Sequence, residues 1–297
     1  MDIFVTICKE VGLKILDCTL RDGAYVVDSM FGDRNIKNII KILSDTGIDI
    51  IECGWLRDLP HEKDSVYFNI PDDAREYITQ KSSKFALMFD YGRYDINNLP
   101  HNNGLIDIIR IAFYKKNLDG ILFAAEKVKS RGYKVFLQPS NIRAYTENEI
   151  IKLCRRGNFI GADAIYIVDS FGSMFPEDLE NIIPIFDETV SKNIEIGFHS
   201  HNNIQLSFAL TIQFINSLTN RNIIIDSSLC GLGRGAGNTK TELLIEYLDQ
   251  QGIIYNKEAL WGGINDTILP FYDKYNWEYT PKHGFKGIYK LHPNTNI

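Results

Sequence analysis

Along this chain, short runs of hydrophobic residues alternate with longer stretches in which hydrophobic and polar positions are mixed. The short runs recur about every thirty residues. Short runs that are apolar throughout and rich in Ile, Val, Phe and Tyr predict strands covered on both faces of a parallel sheet. We predict eight such strands, at residues 13–17, 48–53, 84–89, 105–111, 133–138, 163–168, 194–199 and 223–227.

Amphipathic stretches separate these runs and predict helices. Two of them carry start signals: Thr146 and Glu149 have the spacing of a capping box, and Pro176 suits the first position of a helix. The predicted helices cover residues 34–45, 118–131, 147–157, 176–191, 204–218 and 239–250.

Eight strands followed by helices predict a single (β/α)8 TIM barrel. We place the barrel in residues 1–252 and a C-terminal extension in residues 253–297, whose many aromatic and basic side chains are typical of a cap, a lid or an oligomerisation segment. The alternative is an open doubly wound sheet, because a glycine-rich loop at residues 231–237 follows a strand, as a dinucleotide-binding loop would. That loop usually lies in the first unit of its domain, whereas here it follows the last strand, which favours the barrel.

Composition narrows the classes of function. Of 297 residues, 44% are hydrophobic and 24% are charged, as in ordinary folded proteins. The net charge of −6 and the lack of a basic run make nucleic acid an unlikely partner. No segment approaches the apolar length of a membrane span, so we expect a cytoplasmic protein without membrane contact. The five cysteines are odd in number and widely spaced, which favours reduced thiols over disulfides.

Candidate chemistry centres on His199 and His201. In a strand, side chains two residues apart project to the same face, so these imidazoles can bind one metal ion. Asp22, just after the first strand, offers a carboxylate. Because catalytic residues of a barrel collect where its strands end, polar residues near several strand ends become candidate neighbours. They are Arg21, Asp22, Glu52, Gln138, Asp169, Ser170, His199, His201 and Asn238.

Nitrogen and oxygen ligands without a thiolate favour Mn²⁺ or Mg²⁺, with Co²⁺ or Zn²⁺ as alternatives. Such an open site can hold a 2-oxoacid and stabilise its enolate. Arg21 lies beside the predicted ligand Asp22, where it can stabilise the developing oxyanion.

Three segments carry a resemblance to a known family: residues 17–23 (DCTLRDG), 199–203 (HSHNN) and 231–238 (GLGRGAGN), with residues 167–172 (IVDSFG) in support. They resemble the DRE-TIM metallolyase superfamily, which has an HMGL-like or pyruvate carboxyltransferase-like domain. The resemblance implies a TIM barrel whose metal is held by Asp22, His199 and His201, with Asn238 near or on it. It also implies Arg21 as the stabiliser of the enolate and Ser170 as a substrate contact, and we add Gln138, Gly233 and Gly235 as candidate substrate-binding residues.

Within that superfamily the glycine loop is most similar to the 4-hydroxy-2-oxoacid aldolases, such as 4-hydroxy-2-oxovalerate aldolase. The lyase branch has a catalytic cysteine where this chain has Gly235. The aldolases use a histidine as base four residues after the arginine, and this chain has Tyr25 there. Tyrosine is a poor base at neutral pH, so Tyr25 can instead orient a water or hydroxyl group, with metal-bound hydroxide, Glu52 or a tail histidine such as His283 handling the proton.

We therefore predict a metal-dependent aldolase or lyase that acts on a small 2-oxoacid, most simply converting a 4-hydroxy-2-oxoacid to pyruvate plus an aldehyde. Three alternatives stay open at this point: a Claisen-type acyl-CoA transferase similar to isopropylmalate synthase, a non-haem iron oxygenase, and a barrel that binds metal without catalysis. We expect a homo-oligomer and assume no dehydrogenase partner. Arg234 and the basic tail suggest an anionic substrate.

Overall fold

A computed structural model describes residues 12–79 and 82–296. Its sheet has nine strands, eight of which form a closed parallel barrel in the order β1-β9-β8-β7-β6-β5-β4-β2, with β2 pairing back to β1. The short β3 extends the sheet beside the end of β2. The strands are β1 Leu13–Asp17, β2 Ile50–Leu56, β3 Tyr67–Phe68, β4 Lys84–Asp90, β5 Ile108–Phe113, β6 Lys134–Pro139, β7 Ala164–Asp169, β8 Glu195–Ser200 and β9 Ile223–Ser227.

Closure of the barrel confirms the predicted fold class and excludes the open doubly wound sheet. β1 pairs with β9 along its whole length, from Leu13 opposite Ile223 to Asp17 opposite Ser227. Its other edge pairs with β2 at Leu16 and Asp17. All eight predicted strands are present. A short 3₁₀ turn, Leu229–Gly231, separates β9 from the rest of the glycine loop, and the next helix begins only at Thr241.

All six predicted helices form, and four further α-helices appear among the described residues. Two connections contain a 3₁₀ turn in place of an α-helix. The turn Pro71–Glu76 lies between β3 and β4, and the turn Ile96–Asn98 lies between β4 and β5. The α-helices are α1 Thr19–Val27, α2 Asp33–Thr46, α3 Ile121–Ser130, α4 Glu147–Ile160, α5 Pro176–Thr189, α6 Ser207–Ser217, α7 Thr241–Gln250, α8 Lys257–Gly263, α9 Leu269–Tyr275 and α10 Pro281–Ile288.

The sequence pattern misses α1, which starts one residue after β1. Its first turn contains Arg21 and Asp22, which the sequence pattern places only after the first strand. Both side chains are buried. The carboxylate of Asp17 accepts a hydrogen bond from the backbone N–H of Thr19 at 2.8 Å, which ties the start of the helix to the end of the strand.

Charged side chains lie inside the barrel as well as apolar ones. An apolar cluster that includes Leu16, Ile108, Phe136 and Tyr166 fills part of the interior. Glu52, Arg110 and Asp226 are buried in three different strands. Alternate residues of a barrel strand face the interior, and these three charged residues occupy such inward-facing positions. Arg110 lies within β5. Glu52 also lies within its strand, β2, so the prediction that it ends the strand is wrong.

The C-terminal residues form helices that pack on the barrel's outer layer. Gly263 approaches Ile42 of α2 so closely that a Cβ at residue 263 would lie 2.3 Å from that side chain. The indole N–H of Trp277 donates to the carbonyl oxygen of Cys230 at 3.1 Å. After α10 the chain reaches the barrel's carboxyl end, where the ring of His292 packs edge-on against Phe171 at 5.6 Å. This part of the tail therefore covers one side of the barrel mouth.

Cys18, Cys53 and Cys154 are buried and free, and Cys230 is half-buried and free. Cys8 lies outside the described residues. Among the helices of residues 12–79 and 82–296, none has the length and apolarity that crossing a membrane requires.

Candidate active site

One cavity of about 150 Å³ lies at the carboxyl end of the barrel. Its inner end is lined by Arg21, Asp22, His199 and His201, which are buried. Its outer end is lined by residues of the loops and the tail, among them Arg93 and His292. The cavity is smaller than the roughly 300–1,000 Å³ typical of pockets for drug-sized ligands, so it suits a small substrate.

Asp22, His199 and His201 form the candidate metal centre. One potential ligand atom from each lies within 4.8 Å of the other two. Asp22 comes from the first turn of α1, His199 from the end of β8, and His201 from the residue just after it. The two histidines face the same point because they are two residues apart in extended chain.

Hydrogen bonds orient both imidazoles toward a shared ion. Nδ1 of His199 lies 2.9 Å from Oδ2 of Asp226, and Nδ1 of His201 lies 3.3 Å from the carbonyl oxygen of Gly237. Each Nδ1 therefore donates a proton to oxygen, which leaves both Nε2 atoms as acceptors only 3.4 Å apart. Two such lone pairs facing each other beside a carboxylate fit a bound cation.

Asn238 adds a further oxygen atom to this set. Its amide nitrogen donates to Oδ2 of Asp22 at 2.7 Å. Its Oδ1 is buried and has no hydrogen-bond partner in the described part of the chain. A buried acceptor without a partner is unfavourable unless something outside the chain supplies one.

A row of buried charges links the two sides of the candidate centre. Arg21 donates to Asp22 at 2.6 Å and to Glu52 at 2.7 Å. Arg110 donates to the same Glu52 oxygen at 2.8 Å and to Asp226 at 2.5 Å. Since Asp226 also contacts His199, four charged side chains connect one candidate ligand, Asp22, with another, His199.

Electrostatics set the charge state of the candidate ligands. Burial opposes ionisation of Asp22, but the Arg21 guanidinium and both histidines outweigh it and hold the pKa of that carboxyl well below its usual value. Burial lowers the pKa of His201 to about 3, against the opposing effect of Asp22. At neutral pH the pair therefore offers a carboxylate and a neutral imidazole, the forms that bind metal.

Tyr25 lines the cavity, but it is a weak candidate for a base. Its ring packs edge-on against Trp55 at 5.8 Å, and the guanidinium of Arg234 lies 5.0 Å from the ring centre. Burial raises the pKa of Tyr25 to about 12, and Arg234 offsets this only in part. The hydroxyl group is therefore protonated at neutral pH and can donate a hydrogen bond.

The predicted substrate contacts separate into two groups. Gln138 and Ser170 line the cavity, and Nε2 of Gln138 is a buried donor without a partner among the described residues. Gly233 and Gly235 are not among the lining residues; they lie behind the ligands. A Cβ on Gly233 would lie 2.4 Å from Asp22 Oδ2, and one on Gly235 would lie 2.5 Å from Asn203 Oδ1. Both glycines thus allow close packing of the loop, and Arg234 between them is the residue that faces the cavity.

Glu52 and His283, two candidates for handling a proton, lie away from the cavity lining. Glu52 pairs with Arg21 and Arg110, and Nδ1 of His283 contacts the carbonyl oxygen of Glu278 at 2.8 Å. Asp169 accepts the backbone N–H groups of Ser173 and Met174, both at 3.0 Å, and so stabilises the loop after β7.

Sequence reasoning missed Asp226 and the outer lining residues Asp90, Arg93 and His292. An acid in the Ile-rich run of β9 was the available signal for Asp226, because such a residue must find a buried partner. For His292 the local sequence offered no signal, since its position depends on the path of the tail.

Comparison with known proteins adds independent observations. A family model described as HMGL-like matches residues 115–262, just under half of the chain. The oxaloacetate decarboxylase of Mycobacterium tuberculosis is 25% identical over 246 residues, which are 80% of this chain and 70% of that protein. The 4-hydroxy-2-oxovalerate aldolase of Geobacillus genomosp. 3 is 29% identical over 250 residues, covering 81% of this chain and 72% of that protein.

A solved structure from Bacteroides vulgatus, the N-terminal domain of a protein described provisionally as an aldolase, superimposes with a TM-score of 0.83. It is 28% identical, and the match covers 94% of each chain. These three proteins therefore resemble the chain over most of its length.

Proposed function

We propose that the chain is a member of the DRE-TIM metallolyase superfamily and acts as a divalent-metal-dependent carbon–carbon lyase of 2-oxoacids. Its most direct reaction is the cleavage of a 4-hydroxy-2-oxoacid to pyruvate and an aldehyde, or the reverse. The observation that carries this proposal is the convergence of Asp22, His199 and His201 with Arg21 at the inner end of one small cavity. The named relatives support the same class of reaction.

Asp22, His199 and His201 would hold the ion, and Asn238 Oδ1 is the next atom able to contact it. Mn²⁺ or Mg²⁺ suits this mixture of donors, with Co²⁺ or Zn²⁺ as alternatives. When bound, a divalent cation supplies positive charge that polarises the 2-oxo group and offsets the charge of an enolate.

The surrounding residues would bind and orient the 2-oxoacid. Arg21 is held in place by Asp22 and Glu52, so its guanidinium is positioned in advance for developing negative charge on the substrate's oxygen. Gln138 brings a buried N–H group that lacks a partner among the described residues, which suits a carboxylate or oxo oxygen. Ser170 accepts the backbone N–H of Asn141 at 2.9 Å and keeps its own hydroxyl proton to donate.

Cleavage breaks the C3–C4 bond of the 4-hydroxy-2-oxoacid. The electron pair stays with the pyruvate fragment as its enolate, the C4 hydroxyl loses its proton as C4 becomes an aldehyde, and C3 then takes up a proton. The Tyr25 hydroxyl is protonated at neutral pH, as a tyrosine with an ordinary or raised pKa is, so it cannot take the hydroxyl proton. It would donate a hydrogen bond to the substrate, and the proton would leave through solvent at the cavity mouth.

A second candidate function is decarboxylation of a 2-oxo diacid. It passes through the same enolate, because loss of CO₂ leaves the electron pair on the carbon next to the oxo group. No hydroxyl proton has to be removed, so this reaction does not need a histidine at residue 25. Tyr25 and the similarity to an oxaloacetate decarboxylase favour it.

We also propose that the protein forms a homo-oligomer through its C-terminal segment. Trp261, Ile288 and Tyr289 are exposed large apolar side chains in that segment, which is the surface type that subunit contacts use. Light scattering coupled to size exclusion measures the mass directly, and a monomer at micromolar concentration would contradict the proposal.

The test of the enolate is deuterium exchange at the methyl group of pyruvate, followed by NMR in D₂O. We expect exchange that requires Mn²⁺ or Mg²⁺ and that falls by at least about 100-fold, the scale of losing a charge-stabilising group, in His199→Ala and Asp22→Asn. His101→Ala, at an exposed loop position, is the matched control and should keep the wild-type rate. No exchange with any metal would refute the proposed class.

Product analysis then separates the two candidate reactions. The metal-loaded protein is given a 4-hydroxy-2-oxoacid in one assay and oxaloacetate in the other. Aldehyde release identifies the aldolase, whereas CO₂ release above the rate of free metal identifies the decarboxylase.

A further inference from the structure

We infer that the substrate's aldehyde portion carries a second anionic group, a carboxylate or a phosphate, which binds between Arg93, Arg234 and His292 at the outer end of the cavity. This inference rests on the proposed lyase function and names the class of aldehyde that the site accepts. The inner end would hold the 2-oxoacid portion beside Arg21.

The balance of charges in the cavity supports a second anion. Asp22 and Glu52 neutralise Arg21 at the inner end. At the outer end the one carboxylate of the lining, Asp90, lies 3.2 Å from Arg57 and 3.8 Å from Arg93, so a single acid serves two arginines. Arg234 adds another positive charge, and no carboxylate of the described residues lies within ion-pair distance of its guanidinium. Positive charge therefore exceeds negative charge at the mouth.

Arg234 is oriented but not satisfied by the protein. Its Nη2 donates to the carbonyl oxygen of Ser170 at 3.2 Å, and its guanidinium rests on the face of Tyr25. Its Nε is buried and has no partner in the described part of the chain. Five N–H groups in a fixed planar fork suit the two oxygens of a carboxylate or phosphate, and several of them remain available here.

His292 brings a third N–H group from the tail. The ring is held by Phe171 and by the hydroxyl of Tyr114, 3.4 Å from its Nε2. Burial and then the charges of Arg234, Lys286 and Arg93 lower the pKa of His292, which shows that the ring lies in a positive potential. That potential disfavours an added proton and attracts an anion. Nδ1 accepts the backbone N–H of Asn294 at 3.1 Å, so the neutral ring carries its proton on Nε2, beside the Tyr114 hydroxyl, and can donate one hydrogen bond from that atom.

The experiment compares matched aldehydes in the condensation with pyruvate. The carboxylate arm pairs 4-oxobutanoate with butanal, and the phosphate arm pairs glyceraldehyde 3-phosphate with glyceraldehyde. We expect kcat/KM to favour the anionic member of at least one pair by about 10-fold to 100-fold, the range for charge-assisted hydrogen bonds. The arm that shows the larger ratio identifies the anion.

Two variants test the residues. In Arg93→Gln and Arg234→Gln the preference for the anionic aldehyde should fall by about 10-fold each, since each removes one charged donor. Arg155→Gln, at an exposed position of α4, removes the same charge elsewhere and should leave the preference unchanged.

Deuterium exchange into pyruvate distinguishes the two levels of failure. If exchange occurs but neutral aldehydes react as well as anionic ones, or if both arginine variants keep the preference, the outer anion site is refuted and the lyase stands. If wild-type protein shows no exchange, the lyase function and this inference are both refuted.

Discussion

Nδ1 of His199 lies 2.9 Å from Oδ2 of Asp226, so a buried carboxylate at the end of β9 orients a candidate metal ligand at the end of β8. The contact makes Nδ1 the protonated nitrogen of His199 and leaves Nε2 for the ion. Asp226 is in turn held by Arg110. The orientation of the ligand thus depends on a residue that does not line the cavity.

Asp226→Asn should weaken Mn²⁺ binding by about 10-fold to 100-fold, the usual cost of losing a carboxylate partner of a ligating histidine. It should also destabilise the fold by about 3 kcal/mol, because Arg110 keeps a buried charge with one partner fewer. Calorimetric titration of Mn²⁺ and urea unfolding measure the two effects. Asp49→Asn, which removes a carboxylate bonded to Ile15 and Tyr255, should leave Mn²⁺ affinity unchanged. Equal losses of affinity in both variants would show that Asp226 has only a structural role.

Tyr25→Phe should lower the cleavage of a 4-hydroxy-2-oxoacid by less than about 10-fold, since it removes one hydrogen bond and no base. Tyr25→His should raise the same rate, because imidazole has a pKa suited to accepting the hydroxyl proton. Pyruvate release at pH 7.5 measures both rates. A loss of about 100-fold or more in Tyr25→Phe would instead show that the tyrosine acts in proton transfer.

Gly233→Ala should abolish metal binding. The added Cβ would lie 2.2 Å from Asn238 Nδ2 and 2.4 Å from Asp22 Oδ2, so both side chains would have to move. Gly262→Ala is the matched control, because its Cβ would meet no atom within 4 Å and it lies in helix α8. We expect the control to bind Mn²⁺ normally and to gain about 0.5–1 kcal/mol of stability. Normal Mn²⁺ binding by Gly233→Ala would contradict the close packing of the loop on the ligands.

Gln138→Met should raise the KM for the 2-oxoacid by about 10-fold while leaving the melting temperature unchanged or higher. The reason is that Nε2 of Gln138 has no partner in the described protein, so the apolar replacement removes a substrate contact and an unsatisfied buried donor together. Steady-state kinetics and a thermal melt without substrate provide the two values. A lower melting temperature with an unchanged KM would assign Gln138 to the scaffold.

Asp17 should make stability depend on pH. Burial raises the pKa of this carboxyl to about 7, against hydrogen bonds from Thr19 and Thr241. The folded protein then holds a proton that the unfolded chain releases near pH 4, so this group's contribution falls as pH rises from about 4 to 7. Relative to wild type, Asp17→Asn should gain on the order of 2 kcal/mol of unfolding free energy between pH 5 and pH 8. Urea unfolding at both pH values measures it, and a constant difference would contradict the raised pKa.

Much of the fold could be predicted because a buried parallel strand has a strong local pattern. The bounds of β1 and β9 agree with the predicted runs, and each is apolar over most of its length. β2 was predicted to end at residue 53, but it continues past a bulge at Cys53 to the buried Trp55 and Leu56. Helix α1 was not predicted, because the charges of Arg21 and Asp22 do not fit the pattern of a buried helix. Their partners, Glu52 for Arg21 and Asn238 for Asp22, lie far away in the sequence.

The barrel and the position of Asp22, His199 and His201 at its carboxyl end could be inferred from the chain alone. Periodicity encodes which face of each strand is buried, and the spacing of two histidines encodes a shared direction; both are local properties of the backbone. Closure of the barrel decided the rest. It brought Asp226 to His199 and Arg110, and the path of the tail brought His292 to a cavity whose other residues lie far away in sequence. Such contacts depend on how distant elements pack, and no local pattern of apolar and polar residues contains that information.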